Sequence, residues 1–387
     1  MDLANELIGR ARELKPVLAS RAAATEDNRA PLDETMTDLT DAGFLQILTP
    51  KRYGGHELHI DTLVSVSRII SSACASTGWV SAFFIGHNWF HSVFPQESQD
   101  EVFAENPYQR SSAQISPTAQ AVKVNGGYEV TGQQSWSSGA THATYVFFTA
   151  IYAASDAEPE LLLFCIPREN VELIDNWYIA GMRGTGSCDV KVDNVFVPEH
   201  HMLPFKDFLD GSHFGSRLYD SPVFQMPAAA IIFFEGMAVV SGILRGMVEN
   251  FQEITERRIN TYTGTGVAAK PSSQMRLARG RATADAIDDM VDSITARTIQ
   301  KSASGGLSLQ DRADIRMRCG LVNKMCSDAV NDLMHGAGGS SFMDDVALQR
   351  FFRDSNVLRT HAAMDFEASS EMYGRVLLGM DPGTPVL

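Results

Sequence analysis

The chain has 387 residues, 44% hydrophobic and 20% charged, a balance that excludes a disordered or fibrous protein and leaves room for two or three packed subdomains. A formal charge of −15, without clustered Lys and Arg, excludes a nucleic-acid partner. The five cysteines (Cys74, Cys165, Cys188, Cys319, Cys326) are odd in number, scattered and free of C-x-x-C spacing, which speaks against a disulfide framework or a zinc knuckle and for a reducing compartment.

At the amino terminus, Met1 to Lys15 mixes Asp, Glu and Arg with no apolar core, so no signal peptide is expected. Through residues 1–108 apolar side chains recur at three and four positions, as in Leu63, Val66, Ile69 and Ile70, which predicts a helical domain. Residues 109–208 change to short runs of Val, Tyr, Phe and Thr split by Gly126-Gly127, Gly132, Pro167, Gly181 and Gly184, which predicts a β domain. Tyr128 to Thr131 and Tyr145 to Thr149 read as strands, Asn125-Gly126 reads as a hairpin turn, and antiparallel pairing is expected. From 209 to 387 the helical period returns, broken at Thr261–Pro271 and Ser302–Ser308, which predicts a helical bundle. The longest apolar run, Pro227 to Leu244, holds Glu235 at its middle; a membrane span would carry that charge at high cost, so a buried core helix in a soluble cytoplasmic protein is expected. Helices, then strands, then helices is an α+β order with the sheet as a separate layer.

Gly264-Thr265-Gly266-Val267-Ala268-Ala269 matches a loose dinucleotide fingerprint, but it follows a helical stretch and no acidic residue closes a strand ~20 residues later, so a Rossmann loop is rejected. His87 and His91 have the i, i+4 spacing of metal ligands without a glutamate base or a third carboxylate ligand, and no metal is expected. Trp79, Phe83, His87 and Phe90 share one helical stripe, which is either core packing around a satisfied histidine or an aromatic wall bearing one imidazole. Trp136-Ser137-Ser138-Gly139, where a predicted strand enters a loop, is either a plain β-turn or a set of hydroxyls and backbone N–H donors suited to a planar, acceptor-rich ligand. Gly336-Ala337-Gly338-Gly339 reads as a loop whose backbone can approach a phosphate, and Arg353-Asp354 precedes His361 by about two helical turns.

Leu48-Thr49-Pro50-Lys51-Arg52-Tyr53-Gly54-Gly55 resembles the P-x-x-Y-G-G signature of the acyl-CoA dehydrogenase superfamily. Gly181 to Ser187, followed by Val192 to Pro198, resembles its β-domain signature, and His335 to Gly339 with Arg353-Asp354 resembles its carboxy-terminal Q-x-x-G-G and R-D segments. The resemblance covers nearly the whole chain. Within the superfamily, Thr77-Gly78-Trp79 with His87 eight residues later, Trp136 to Gly139, and His361 after R-D resemble the two-component flavin monooxygenases that hydroxylate 4-hydroxyphenylacetate and steroid rings. The dehydrogenases place a catalytic glutamate where this chain has Arg359-Thr360-His361-Ala362.

What the resemblance implies is an oxygenase component that takes reduced FMN or FADH2 from a separate NAD(P)H:flavin reductase. With O2 it forms a C4a-hydroperoxyflavin that hydroxylates a small phenol or indole. It implies that Trp136, Ser137, Ser138 and Gly139 hold the flavin, with the Ser138 hydroxyl near N5, and that His361 contacts the oxygen or takes a substrate proton. His87 would hydrogen-bond the substrate, Trp79, Phe83 and Trp89 would shape the pocket, and Ser112 would add a polar contact. Many relatives carry an Arg two residues before a Pro at the start of the third domain; Gln225 stands there, ahead of Pro227, which implies altered flavin electrostatics or substrate charge. Arg258 resembles the Arg of the R-x-x-F-G segment that reaches a flavin phosphate in a neighbouring subunit, with Gly338 and Gly339 as further cofactor contacts, and a homotetramer is implied. The alternatives are an acyl-CoA dehydrogenase using Asp365 or Glu367 as base, an amino-sugar N-oxygenase, and a flavin-binding scaffold without chemistry.

Overall fold

The computed structural model describes residues 2–154, 158–384 and 387. Five helices come first: α1 (Leu3–Asn28), α2 (Asp33–Asp41), α3 (Ile60–Ala73), α4 (Ala75–Ser92) and α5 (Gln96–Val102). Extended backbone at Cys74 separates α3 from α4. The fold-back requires Gly78, because a Cβ there would overlap Ser71. Every residue of α4 except Phe83 is buried, because the helix lies between the sheet and the carboxy-terminal bundle.

Seven strands follow: β1 (Ser111–Val124), β2 (Gly127–Gln134), β3 (Tyr145–Tyr152), β4 (Glu160–Pro167), β5 (Glu172–Ile174), β6 (Asp189–Pro198) and β7 (Met202–Pro204), in the order β5-β6-β2-β1-β3-β4-β7. The hairpin turn lies between β1 and β2, where Gly126 adopts φ 80°. The expected all-antiparallel sheet is corrected at one pair, since β3 runs parallel to β1. The segment after β2 crosses over and re-enters on the far side of β1, a connection that strand-like composition does not encode. The β1–β3 register shifts between Gln114 and Ala119, and this bulge turns Ile115 to Pro117 out of the ladder. Strand alternation sends Phe147 into the helical core and Val146 and Phe148 into a separate sheet core.

The last segment holds α6 (Phe205–Asp210), α7 (Phe214–Leu218), α8 (Ala228–Arg257), α9 (Pro271–Ala303), α10 (Leu309–Ala337), α11 (Ala347–Leu358) and α12 (Phe366–Leu377). α8 is long and apolar enough to cross a membrane, yet 89% of its most apolar window is buried inside the fold, against α3, α4 and α10. α10 starts in a capping box between Ser308 and Asp311 and continues through Ala337. The expected loop at Gly336-Ala337 is therefore helix, and only Gly338 (φ 79°) and Gly339 leave it. Arg353 and Asp354 fasten this bundle to the rest: Arg353 pairs with Glu26 at 2.9 Å, and Asp354 accepts the backbone N–H of Met182. Gly181 is needed there because a Cβ would overlap the Arg353 carbonyl.

Candidate functional site

α4, the bulge of β1, the turn after β2, α8 and the segment after α11 converge on a cavity of about 350 Å³. Phe83 and Phe90 of α4, Ile115 and Pro117 of the bulge and Ile232 of α8 are its apolar walls. His87, Ser138, Glu235, Arg316, His361 and Thr384 are among its polar groups.

His87 is 3% exposed and sits between Phe83 and Phe90, with ring centroids at 5.2 and 4.6 Å. Burial lowers its pKa to about 4, so the ring is neutral at pH 7. Its Nδ1 faces the Ser111 carbonyl, which only accepts, so Nδ1 carries the proton and Nε2 presents a lone pair. His361 has the opposite arrangement. Its Nδ1 accepts the Ala363 backbone N–H at 3.3 Å, and burial lowers its pKa to about 4, so the neutral ring carries its proton on Nε2. The cavity thus holds one imidazole acceptor and one imidazole donor. His361 caps a single 3-10 turn beyond α11, which ends at Leu358.

The hydroxyl of Ser138 is oriented by a relay. Thr185 donates to the Met182 carbonyl at 2.8 Å and so must accept from Ser187 at 2.6 Å; Ser187 in turn accepts from Ser138 at 2.8 Å. Trp79 Nε1–H donates to Ser138 Oγ at 3.1 Å. Ser138 has spent its proton and one lone pair, and what it offers a ligand is a single acceptor position. Trp79 is accordingly a positioning residue behind Ser138, its ring centroid 4.6 Å from a tilted Phe83 and 5.3 Å from an edge-on His361, and it does not line the cavity.

The turn departs from expectation in its backbone donors, since Ser137 N–H and Gly139 N–H are taken by the carbonyls of Cys188 and Thr185 at 3.0 and 2.9 Å. Ser137 Oγ is buried without a partner among the described residues, but it does not line the cavity. Trp136 holds φ 66°, a conformation that costs a non-glycine residue ~1–2 kcal/mol, and leaves its indole 68% exposed at the cavity. An acceptor-only hydroxyl and an uncovered indole face, both at the cavity, fit a planar ring with polar edges, and a flavin is such a ring.

Three expected contacts lie elsewhere. Ser112 is buried and its hydroxyl has no partner, but it does not line the cavity. Trp89 faces the other way, donating to the Val223 carbonyl at 2.8 Å. Gln225 donates to the carbonyls of Ser216 and Tyr219, at 3.1 and 2.7 Å, and closes its own loop. Arg258 and Gly338 do meet, with Arg258 Nη1 donating to the Ala337 carbonyl and its guanidinium lying over Gly338, while Gly339 stands open beside them; all three are away from the cavity lining. Of the histidine pair weighed for a metal, His91 places Nε2 2.6 Å from Ser111 Oγ, so both rings serve Ser111. Glu235 and Arg316 are the site residues that the motifs missed. One acidic residue within an apolar run was the signal for the first.

The chain matches the N-terminal domain of acyl-CoA dehydrogenases over residues 10–92 and their C-terminal domain over residues 236–366. It is 40% identical to a pigment production hydroxylase of Rhodococcus sp. (strain ATCC 21145), covering 99% of this chain and 98% of that one. It is 31% identical to the oxygenase component of p-hydroxyphenylacetate 3-hydroxylase of Acinetobacter baumannii, covering 97% and 90%. The crystal structure of the HsaA monooxygenase of Mycobacterium tuberculosis superposes with a TM-score of 0.93 at 31% identity, covering 99% and 100%. XiaF from Streptomyces sp., solved in complex with FADH2 and glycerol, superposes with a TM-score of 0.92 at 27% identity, covering 100% and 98%. With its fold, its paired imidazoles and these full-length matches, the chain belongs to the flavin-dependent monooxygenase oxygenase components of the acyl-CoA dehydrogenase family.

Proposed function

We propose that this protein hydroxylates a small phenol or indole, using O2 and reduced FMN or FADH2 supplied by a separate NAD(P)H:flavin reductase. The observation that carries the reading is the pair of neutral imidazoles with opposite hydrogen-bonding sense in one aromatic-walled cavity. When bound, the flavin supplies activation of O2, chemistry that no side chain here provides. His87 Nε2 accepts the substrate's O–H or N–H and fixes the ring. His361, whose Nε2–H is the cavity's open imidazole donor, would hydrogen-bond the oxygen delivered to the substrate. Ser138, oriented by Trp79 and the Ser187–Thr185 relay, would hold the flavin edge through its one open acceptor position. Phe83, Phe90, Ile115 and Ile232 exclude water. We place Arg258, with Gly338 and Gly339, at a flavin phosphate across a subunit contact in a homotetramer, since Arg258 and Gly338 lie together but off the cavity of their own chain.

Neither carboxylate weighed for a dehydrogenase serves as a base in this cavity: Asp365 caps α12 by accepting from Ala368 N–H at 2.7 Å, and Glu367 is exposed. The test is to mix the anaerobically reduced flavin complex with O2 in a stopped-flow spectrometer, with the wild type and His361→Ala side by side. A long-lived near-ultraviolet transient in the wild type, with product formation falling by ~10²–10⁴-fold in the variant while it still binds flavin, is the expected result. Direct return to oxidised flavin, with bleaching of oxidised flavin by an acyl-CoA, overturns the oxygenase reading. Full product yield from His361→Ala overturns the role of that residue.

A further inference from the structure

Glu235 stands near the start of α8, at the middle of its apolar run, is 1% exposed and lines the cavity. Its Oε1 rests against Gly86, the residue before His87, so closely that a Cβ at position 86 would overlap it. Among the described residues Oε1 has no hydrogen-bond partner, and no Lys, Arg or His forms an ion pair with Glu235. A carboxyl group so placed is costly unless something satisfies it, and no role in holding the fold is visible for it. Arg316, in the same cavity, is engaged otherwise, reaching Thr384 Oγ1 at 3.4 Å and lying over the Phe233 ring. Burial drives the Glu235 pKa well upward and so favours the uncharged carboxylic acid, which has one donor and one acceptor oxygen.

We propose that Glu235 is a second substrate anchor beside His87, and that the substrate is an aromatic compound with two uncharged hydrogen-bonding groups, one for His87 Nε2 and one for the Glu235 carboxyl. This rests on the aromatic-hydroxylase reading above and narrows it. A substrate whose second group is a carboxylate is selected against, because a second acid at this dry site must either give up its charge or face Glu235 as an ion. An amine is disfavoured for the converse reason, since it would ionise Glu235 and bury an ion pair.

The test is equilibrium binding to the flavin-reconstituted protein, read by the flavin spectrum without turnover, using phenol, resorcinol, hydroquinone and 4-hydroxyphenylacetate as probes. The wild type is expected to bind the better-fitting of the two dihydroxybenzenes ~3–10-fold more tightly than phenol, the gain of one neutral hydrogen bond, and 4-hydroxyphenylacetate no better than phenol. E235Q, which keeps a neutral donor and acceptor, is expected to retain that preference. E235L is expected to bring the dihydroxybenzenes to the affinity of phenol, with thermal unfolding no lower than in the wild type. An unchanged preference in E235L overturns the proposal, and so does a loss in E235Q equal to that in E235L, which would mark an ionised carboxylate. A folded wild type that binds flavin but none of the four probes would instead sink the aromatic-hydroxylase reading on which the proposal stands.

Discussion

The two faces of α4 are built from similar residues and differ in what their polar groups have left to give. On the packing face, Asn88 Nδ2 donates to the carbonyls of Leu45 and Gln109 at 3.0 and 2.9 Å, while Oδ1 accepts from Gln109 N–H at 2.7 Å. Trp89 is tied to the Val223 carbonyl, and Ser92 donates to the Asn88 carbonyl at 2.7 Å. On the cavity face, His87 has one nitrogen committed and the other open, between two phenyl rings. Aromatic and polar residues occur on both faces. Unspent hydrogen-bonding capacity facing a cavity is what separates a site from a core, because buried polar groups in a core mostly find protein partners.

That contrast can be tested on both faces. The largest effect is expected at His87: His87→Ala should reduce kcat/KM for the aromatic substrate by ~10–100-fold, through lost binding and positioning, and leave the unfolding temperature within a few degrees of the wild type. An unimpaired kcat/KM would place His87 with the packing face after all. Asn88→Ala should do the reverse, costing about 2–4 kcal/mol in chemical denaturation because it strands buried backbone groups, while the folded fraction turns over normally. If its activity fell as far as that of His87→Ala, the distinction between the faces would collapse. The smallest effect is one of pH. Because the folded-state pKa of His87 and His361 is lowered to about 4 from 6.5, both rings are already neutral at physiological pH, and their contribution to stability is lost only as pH falls from 6.5 through about 4. Affinity for phenol should therefore stay flat between about pH 6 and pH 8 and weaken as the solution approaches pH 4. A break centred near 6.5 would mean that the rings are hydrated and the cavity is wet.

Helical, strand and helical segments were legible in the chain because period and composition are local properties. The breaks expected at Thr261–Pro271 and Ser302–Ser308 coincide with the gaps between α8 and α9 and between α9 and α10. The parallel pairing of β1 with β3 was not legible, since a strand's side chains do not record the path of the connection that delivers it. At the site, the stripe Phe83, His87, Phe90 and the serine turn could be picked out by spacing. Trp79 was assigned to the wall, although its N–H serves Ser138, and Ser112, Trp89 and Gln225 were assigned to a pocket that their side chains do not reach. A helical stripe spans a wide arc, and which edge of it meets a cavity depends on the neighbouring element.

By itself, then, the sequence determined the α+β order, the membership of α8 in a core and the residue types available for chemistry, all of which follow from period, length and charge along one stretch of chain. The tertiary structure decided the valences. The tautomers of His87 and His361, the acceptor-only state of Ser138 and the stranded carboxyl of Glu235 each depend on a partner distant in sequence or on the absence of one, and only the packed chain sets which atoms are met and which are left over.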